Sequence, residues 1–265
     1  MNIVIAGYGP VGKAAEHALK KNINVETYID DPYKNRQLDP YILYADLVDA
    51  VVVCVATPMG DDGRCVTENV QDVFDKYGKD CKYLIKSTTD PLFLVEAAKT
   101  YDITMSPEYL RGTTGNDPTE DFMNQEFAVY GGENARWWHE LFKPTLLNLK
   151  DENVRFVSLE QAAFAKYALN CFLATKVTYF NEIYQAYKAM GFTGFDGMID
   201  ALCLDPRVGR SHTQVPGPDG EFGYGGHCFP KDMSGLISAT ESVNMNPELL
   251  KAVRDYNTKV RNDDE

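Results

Sequence analysis

The sequence predicts an α/β chain: a doubly wound, mainly parallel sheet followed by an all-α part with one long helix. Three observations carry that expectation. Short apolar runs alternate with helical stretches through the first 158 residues, the pattern of βαβ units and of a sheet covered on both faces. A glycine-rich turn stands between the first apolar run and the first helical stretch. From Leu159 the alternation stops, and residues 159–190 run without proline to a glycine stop at Gly191. The expected domains are therefore 1–158 and 159–265.

The elements follow in order. NIVIA (residues 2–6) is a short buried strand ending at Gly7, with a helix from about Val11 to Lys21 behind it. NVETYID is a second strand closing on Asp30. AVVVCVATP (Ala50–Pro58), KYLIKST (Lys82–Thr88) and DITMSPE (Asp102–Glu108) read as the next three strands, with helices at Glu68–Tyr77 and Leu92–Lys99 between them. FAVYGG (Phe127–Gly132) and VRFVSL (Val154–Leu159) are expected as a sixth strand and an edge strand. Beyond the long helix, shorter helices are expected near Gly197–Cys203, Lys231–Ser242 and Pro247–Val260, with Gly209–Gly225 as a loop.

The 265 residues carry a net charge of −13. Such a surface repels nucleic acid and anionic membrane, so neither is the expected partner. A small anionic ligand stays open, because a helix N-terminus is enough to hold one. The N-terminus has no basic leader and no cleavage site, and no apolar run reaches about 18 residues, so a cytoplasmic location is expected. Six cysteines (Cys54, Cys65, Cys81, Cys171, Cys203, Cys228) show no C-x-x-C spacing and four histidines no ligand spacing. Neither a disulfide framework nor a metal is expected.

Gly7-Tyr8-Gly9-Pro10-Val11-Gly12 is a G-x-G-x-x-G turn after a strand and before a helix. Glycine is needed where the turn is tight and where backbone meets a pyrophosphate facing the helix N-terminus. That context makes the sheet Rossmann-type. Asp30, about 20 residues on, is placed to bond the adenosine ribose, and an acid there favours NAD over NADP. Asp31 can share or take that role, and a purely structural glycine turn is the bland alternative.

GYGGHCFPKDM (Gly223–Met233) sets Cys228 just before Pro230, a residue favoured in the first turn of a helix. A thiol at a helix N-terminus and near Lys231 is expected to have a lowered pKa and to act as a nucleophile. Gly223, Gly225 and Gly226 are expected to leave room for a ligand to reach the sulfur. The alternative is core filler, which suits Cys54 and Cys171. Lys166 and Asn170 stand four apart, on one helix face that continues through Ala174 and Val177. A buried lysine there must be paired or functional; the alternative is the surface edge of the helix. Ser106-Pro107-Glu108 puts a carboxylate beyond a strand, where open α/β sheets bind ligands, though a helix-capping acid fits too.

SPEYLR (Ser106–Arg111), KYALN (Lys166–Asn170), DPRVG (Asp205–Gly209), GYGGHCFPKD and the glycine-rich start occur in the order seen in the UDP-glucose/GDP-mannose dehydrogenase family, which the chain resembles. The resemblance implies an NAD-dependent, four-electron oxidation of the C6 alcohol of a nucleotide sugar, most of all UDP-glucose, to a uronate. Cys228 would hold the aldehyde as a thiohemiacetal and then as a thioester. Lys166 would stabilise oxyanions with Asn170 donating beside it, Asp232 and Thr88 would position water, and Glu108 would be the hydrolytic base. Thr57, Pro58, Ser87 and Lys231 would lie near the cofactor. Tyr109, Leu110, Arg111, Tyr224, Gly225 and, across a homodimer, Arg207 would contact substrate. Two departures are visible: Gly112 falls where the family carries a second glutamate, and the chain stops at Glu265, where family enzymes continue into a C-terminal nucleotide-binding domain. The competing readings are a non-catalytic NAD-binding homologue or subunit that needs a partner chain, and a two-electron hydroxyacid dehydrogenase, which requires no cysteine.

Overall fold

The computed structural model describes residues 1–34, 47–109 and 117–261. The chain forms two compact units, Met1–Pro58 with Cys65–Lys166, and Met59–Arg64 with Tyr167–Glu265.

The first unit is built on seven strands: β1 (Asn2–Ala6), β2 (Glu26–Asp30), β3 (Ala50–Val53), β4 (Lys82–Ile85), β5 (Asp102–Met105), β6 (Ala128–Gly131) and β7 (Val154–Val157). Their order is β2-β1-β3-β4-β5-β6-β7. All neighbours are parallel except β5 and β6, which meet antiparallel at Met105 and Gly131. The α/β, mainly parallel fold class is as the sequence predicts.

Alternation along the strands makes two cores. Ile3, Ile5, Val52 and Leu84 face helices α1 (Pro10–Leu19), α4 (Pro118–Met123) and α5 (Ala135–Phe142). Val4, Val51, Val53, Tyr83 and Ile85 face α2 (Glu68–Tyr77) and α3 (Pro91–Ala97). Burial of both faces explains why the strands read as unbroken apolar runs; each such side chain contributes about 1.5–3 kcal/mol. β3, β4 and β5 end earlier than their apolar runs suggest. Residues 54–58, 86–90 and 106–109 instead form loops at the carboxyl ends of the strands, where open α/β sheets carry their ligands.

Helix α6 (Leu159–Ala189) has 31 residues and is therefore about 46 Å long. Its first turns close the second sheet core through Leu159, Ala162 and Ala163. The second unit continues with α7 (Phe195–Leu202), α8 (Cys228–Ser242) and α9 (Glu248–Arg261). Tyr167, Cys171 and Ala174 pack with Tyr224, Met233, Leu236, Ile237 and Val253. Phe180, Phe195, Ile199 and Val215 form a smaller cluster. α8 starts at Cys228 rather than near Lys231, because Pro230 falls in the first turn, where no amide donor is needed.

Candidate functional site

In the first unit, the turn after β1 is tied down at Gly7, whose N–H donates to Asp30 O at 2.9 Å. Gly12 is required by close approach, since a Cβ there would stand 2.1 Å from Gly7 O. Gly9 caps α1, and nothing lies within 4 Å of its missing Cβ, so its backbone faces open space as a pyrophosphate cradle requires. Gly12→Ala is expected to force turn and helix apart. It should cost about 1–3 kcal/mol of stability, read by urea unfolding.

The two aspartates divide their work. Asp30 Oδ2 accepts from Lys76 Nζ at 2.7 Å and from Tyr77 Oη at 2.6 Å, both on α2. Strand alternation sends this side chain to the α2 face, where Lys76 and Tyr77 hold it. Burial and the bond to Asp30 push the Tyr77 hydroxyl pKa up. Asp31 is the carboxylate beside the glycine turn: its Oδ2 accepts from Tyr8 N at 2.8 Å and its Oδ1 from Tyr33 N at 3.0 Å. Each carboxylate oxygen keeps further acceptor capacity.

At the carboxyl ends of β3 and β4, Thr57 Oγ1 donates to Thr88 O at 2.6 Å and Ser87 Oγ donates to Val55 O at 2.7 Å. Thr57, Ser87 and Thr88 are therefore brought together, with Pro58 exposed beside them. Their loop geometry is fixed by their own hydroxyls.

Glu108 is buried beyond β5 with a partner that sequence reading missed. Lys86 Nζ lies 3.5 Å from Glu108 Oε2 and 3.3 Å from Ser106 Oγ. The rings of Phe122 and Phe142 flank the ammonium at 5.0 and 5.9 Å, and Glu108 Oε1 accepts from Tyr109 N at 2.9 Å. Burial pushes the nearby Cys54 thiol pKa up to about 12, with Lys86 opposing and Glu108 adding to the shift. A lysine closing an apolar strand was the available signal, since a buried ammonium demands an anion. Lys166 is half-buried, its Nζ 5.1 Å from the Tyr109 ring centre. Leu110, Arg111 and Gly112 lie outside the described residues.

In the second unit, Asn170 Nδ2 donates to Asp232 Oδ2 at 2.5 Å, and Asp232 Oδ1 pairs with Lys231 Nζ at 2.6 Å. Asp232 is 1% exposed, so three expected residues form one polar chain, buried at Asn170 and Asp232 and half-buried at Lys231. Cys228 occupies the first position of α8 and is exposed. Cys171, buried on α6 with its thiol pKa raised to about 12 by desolvation, is core filler. Arg207 is exposed and forks onto Asp205, with Nη2–Oδ2 at 2.5 Å and Nε–Oδ1 at 3.0 Å. The Tyr224 ring is packed in the core against Phe229.

The loop glycines correct one expectation. A Cβ on Gly223 would lie 2.4 Å from Asn257 Oδ1, and one on Gly225 would lie 2.2 Å from Arg261 Nη2. The room at these two positions is filled by helix α9, not left for a ligand. Gly226 alone of the three has nothing within 4 Å.

The comparisons with known proteins agree on the build. The UDP-glucose dehydrogenase of Pyrobaculum islandicum superposes over 97% of this chain and 68% of its own, with TM-score 0.78 and 23% identity. A 3-hydroxyisobutyrate dehydrogenase of Mycobacterium tuberculosis superposes over 99% of this chain and 94% of its own, with TM-score 0.67 and 15% identity. In sequence, the UDP-glucose 6-dehydrogenase of Rickettsia typhi is 31% identical over 219 residues, which is 78% of this chain and 48% of that protein. The chain thus spans about half the length of the curated relatives it matches. These solved structures share the fold, a Rossmann-type sheet followed by a helical unit. Residues 160–259 match the central domain of the UDP-glucose/GDP-mannose dehydrogenase family. The chain belongs to that family. Among the described residues, no helix is long and apolar enough to cross a membrane.

Proposed function

We propose that the chain works in the NAD-dependent oxidation of a nucleotide sugar, with UDP-glucose as first candidate, to the uronate. The observation that carries the reading is Cys228 exposed on the first turn of α8, three and four residues ahead of the Lys231–Asp232 pair that holds Asn170. The Gly7–Gly12 turn, with its open Gly9 and the adjacent Asp31, fits a dinucleotide. NAD, when bound, supplies hydride acceptance in each of two oxidations.

The C6 alcohol becomes the aldehyde by losing its hydroxyl proton to solvent and a hydride from carbon; Lys166 stabilises the developing oxyanion, and Asn170 donates its remaining amide hydrogen to the same oxygen. The Cys228 sulfur adds to the aldehyde carbon, so the half-oxidised sugar stays attached. Loss of a second hydride from the adduct leaves a thioester. Glu108, paired with Lys86, takes a proton from water as the water's oxygen forms the new bond to carbon and the sulfur leaves as thiolate. Asp232 and Thr88 orient that water. A homodimer is part of the reading: α6 exposes Phe172 and Tyr179, and an apolar helix face of this kind calls for cover. A cytoplasmic location is part of the same reading.

A second reading is favoured by one finding, the near full-length match to the 3-hydroxyisobutyrate dehydrogenase: a two-electron oxidation of a small hydroxy acid. Incubation with NAD and a panel of nucleotide sugars and hydroxy acids separates the two. Two NADH per uronate supports the proposal, one NADH per hydroxy acid supports the second reading, and NAD binding with no NADH leaves a non-catalytic dinucleotide-binding subunit.

A further inference from the structure

We infer that Asn181 and Asn257 are positioning residues that set the backbone of the Gly223–Gly226 loop and through it the surroundings of the Cys228 thiol. The inference rests on the reading above, in which that thiol is the nucleophile. Asn181, on α6, is 0% exposed and its Oδ1 accepts from Gly223 N at 2.9 Å, while its Nδ2 donates to Val177 O at 2.8 Å. Asn257, on α9, is 5% exposed. Its Oδ1 accepts from Tyr224 N at 2.7 Å and its Nδ2 donates to Tyr224 O at 3.0 Å. One carboxamide thus satisfies both polar groups of one peptide residue, as a neighbouring strand would.

The loop has no regular secondary structure of its own over residues 223–225. Its conformation comes from outside, from two helices at once. Gly223, at φ +70°, gives the amide directions the two asparagines need, and its missing side chain admits Asn257 Oδ1. Tyr224 drives its ring into the core. The Arg261 guanidinium lies over Gly225, tied to Asp219 Oδ2 at 2.7 Å. Three residues after Gly225, Cys228 opens α8, so an error in the loop backbone is passed directly to the first turn that carries the thiol. A buried carboxamide with two bonds spent on backbone is costly to replace, since each orphaned backbone group loses its partner away from water.

The test uses Asn257→Ala and, should that variant fold poorly, Asn181→Ala, which takes away the acceptor at Gly223 and the donor to Val177 O. Hydrogen exchange of the peptide spanning residues 222–228 is followed by mass spectrometry, together with the rate of Cys228 alkylation by iodoacetamide, the melting temperature, and NADH formation from UDP-glucose. The expected result is loop exchange about tenfold faster, an alkylation rate altered about threefold or more, and a loss in kcat larger than the change in KM. Unchanged loop exchange and alkylation in a variant that merely melts earlier overturns the inference, even with the wild type turning over normally. Altered exchange and alkylation, with a wild type that makes no NADH from any nucleotide sugar, leaves the clamp standing and removes the proposed function.

Discussion

If the proposed oxidation is this chain's reaction, Cys228→Ser is expected to abolish uronate formation: the overall rate should fall by about 10³-fold or more, and NADH should stop at no more than one equivalent per site. A hydroxyl is far less acidic than a thiol, so at neutral pH the serine presents almost no anion to the sugar aldehyde. Oxidation of the alcohol does not need the sulfur and survives. The substitution is clean because the side chain is exposed at the start of α8, where a change of one atom moves stability by less than about 0.5 kcal/mol. Uronate is measured by chromatography and NADH by absorbance in a single-turnover mix. Uronate made by the serine variant at near wild-type rate would remove the covalent route.

The second large effect is on stability. Lys86→Met leaves the Glu108 carboxylate buried without its ammonium, and breaking a buried pair from one side costs about 3–5 kcal/mol. The flexible thioether keeps the packing between Phe122 and Phe142, so the loss reports charge and not volume. For a chain of this size that is a fall in Tm of roughly 6–20 °C, carried by the transition of the sheet unit. The double variant Lys86→Met with Glu108→Leu is expected to recover most of it, because apolar replacement of both buried partners is often neutral. Urea unfolding followed by circular dichroism reads both. A single variant as stable as the wild type would mean that the pair is solvated and carries no fixed charge.

Sheet and helices were legible because strands buried on both faces leave unbroken apolar runs, and because proline at residue 230 marks a helix start whatever surrounds it. What the text of the chain hides depends on partners far along it. The reversal of β6 against β5 rests on a pairing between Met105 and Gly131, which no local pattern announces. The choice between Asp30 and Asp31 turns on one residue of strand phase; at a strand end that phase is set by where pairing stops. Lys86 looks like the polar close of a strand until Glu108 and Ser106 arrive beside it from β5. The glycines of residues 223–226 read as room for a ligand, but what fills that space at Gly223 and Gly225 comes from α9, more than 30 residues later.

That last arrangement bears on how this protein can be recombined. Residues 223–225 and the final helix behave as two halves of one lock: transplanting the thiol-bearing loop into a cousin, or trimming the chain ahead of Asn257 and Arg261, would separate key from tumbler even if every candidate catalytic residue were kept. Chimeras intended to alter specificity are better cut outside both pieces, so that loop and terminal helix travel as a single cassette.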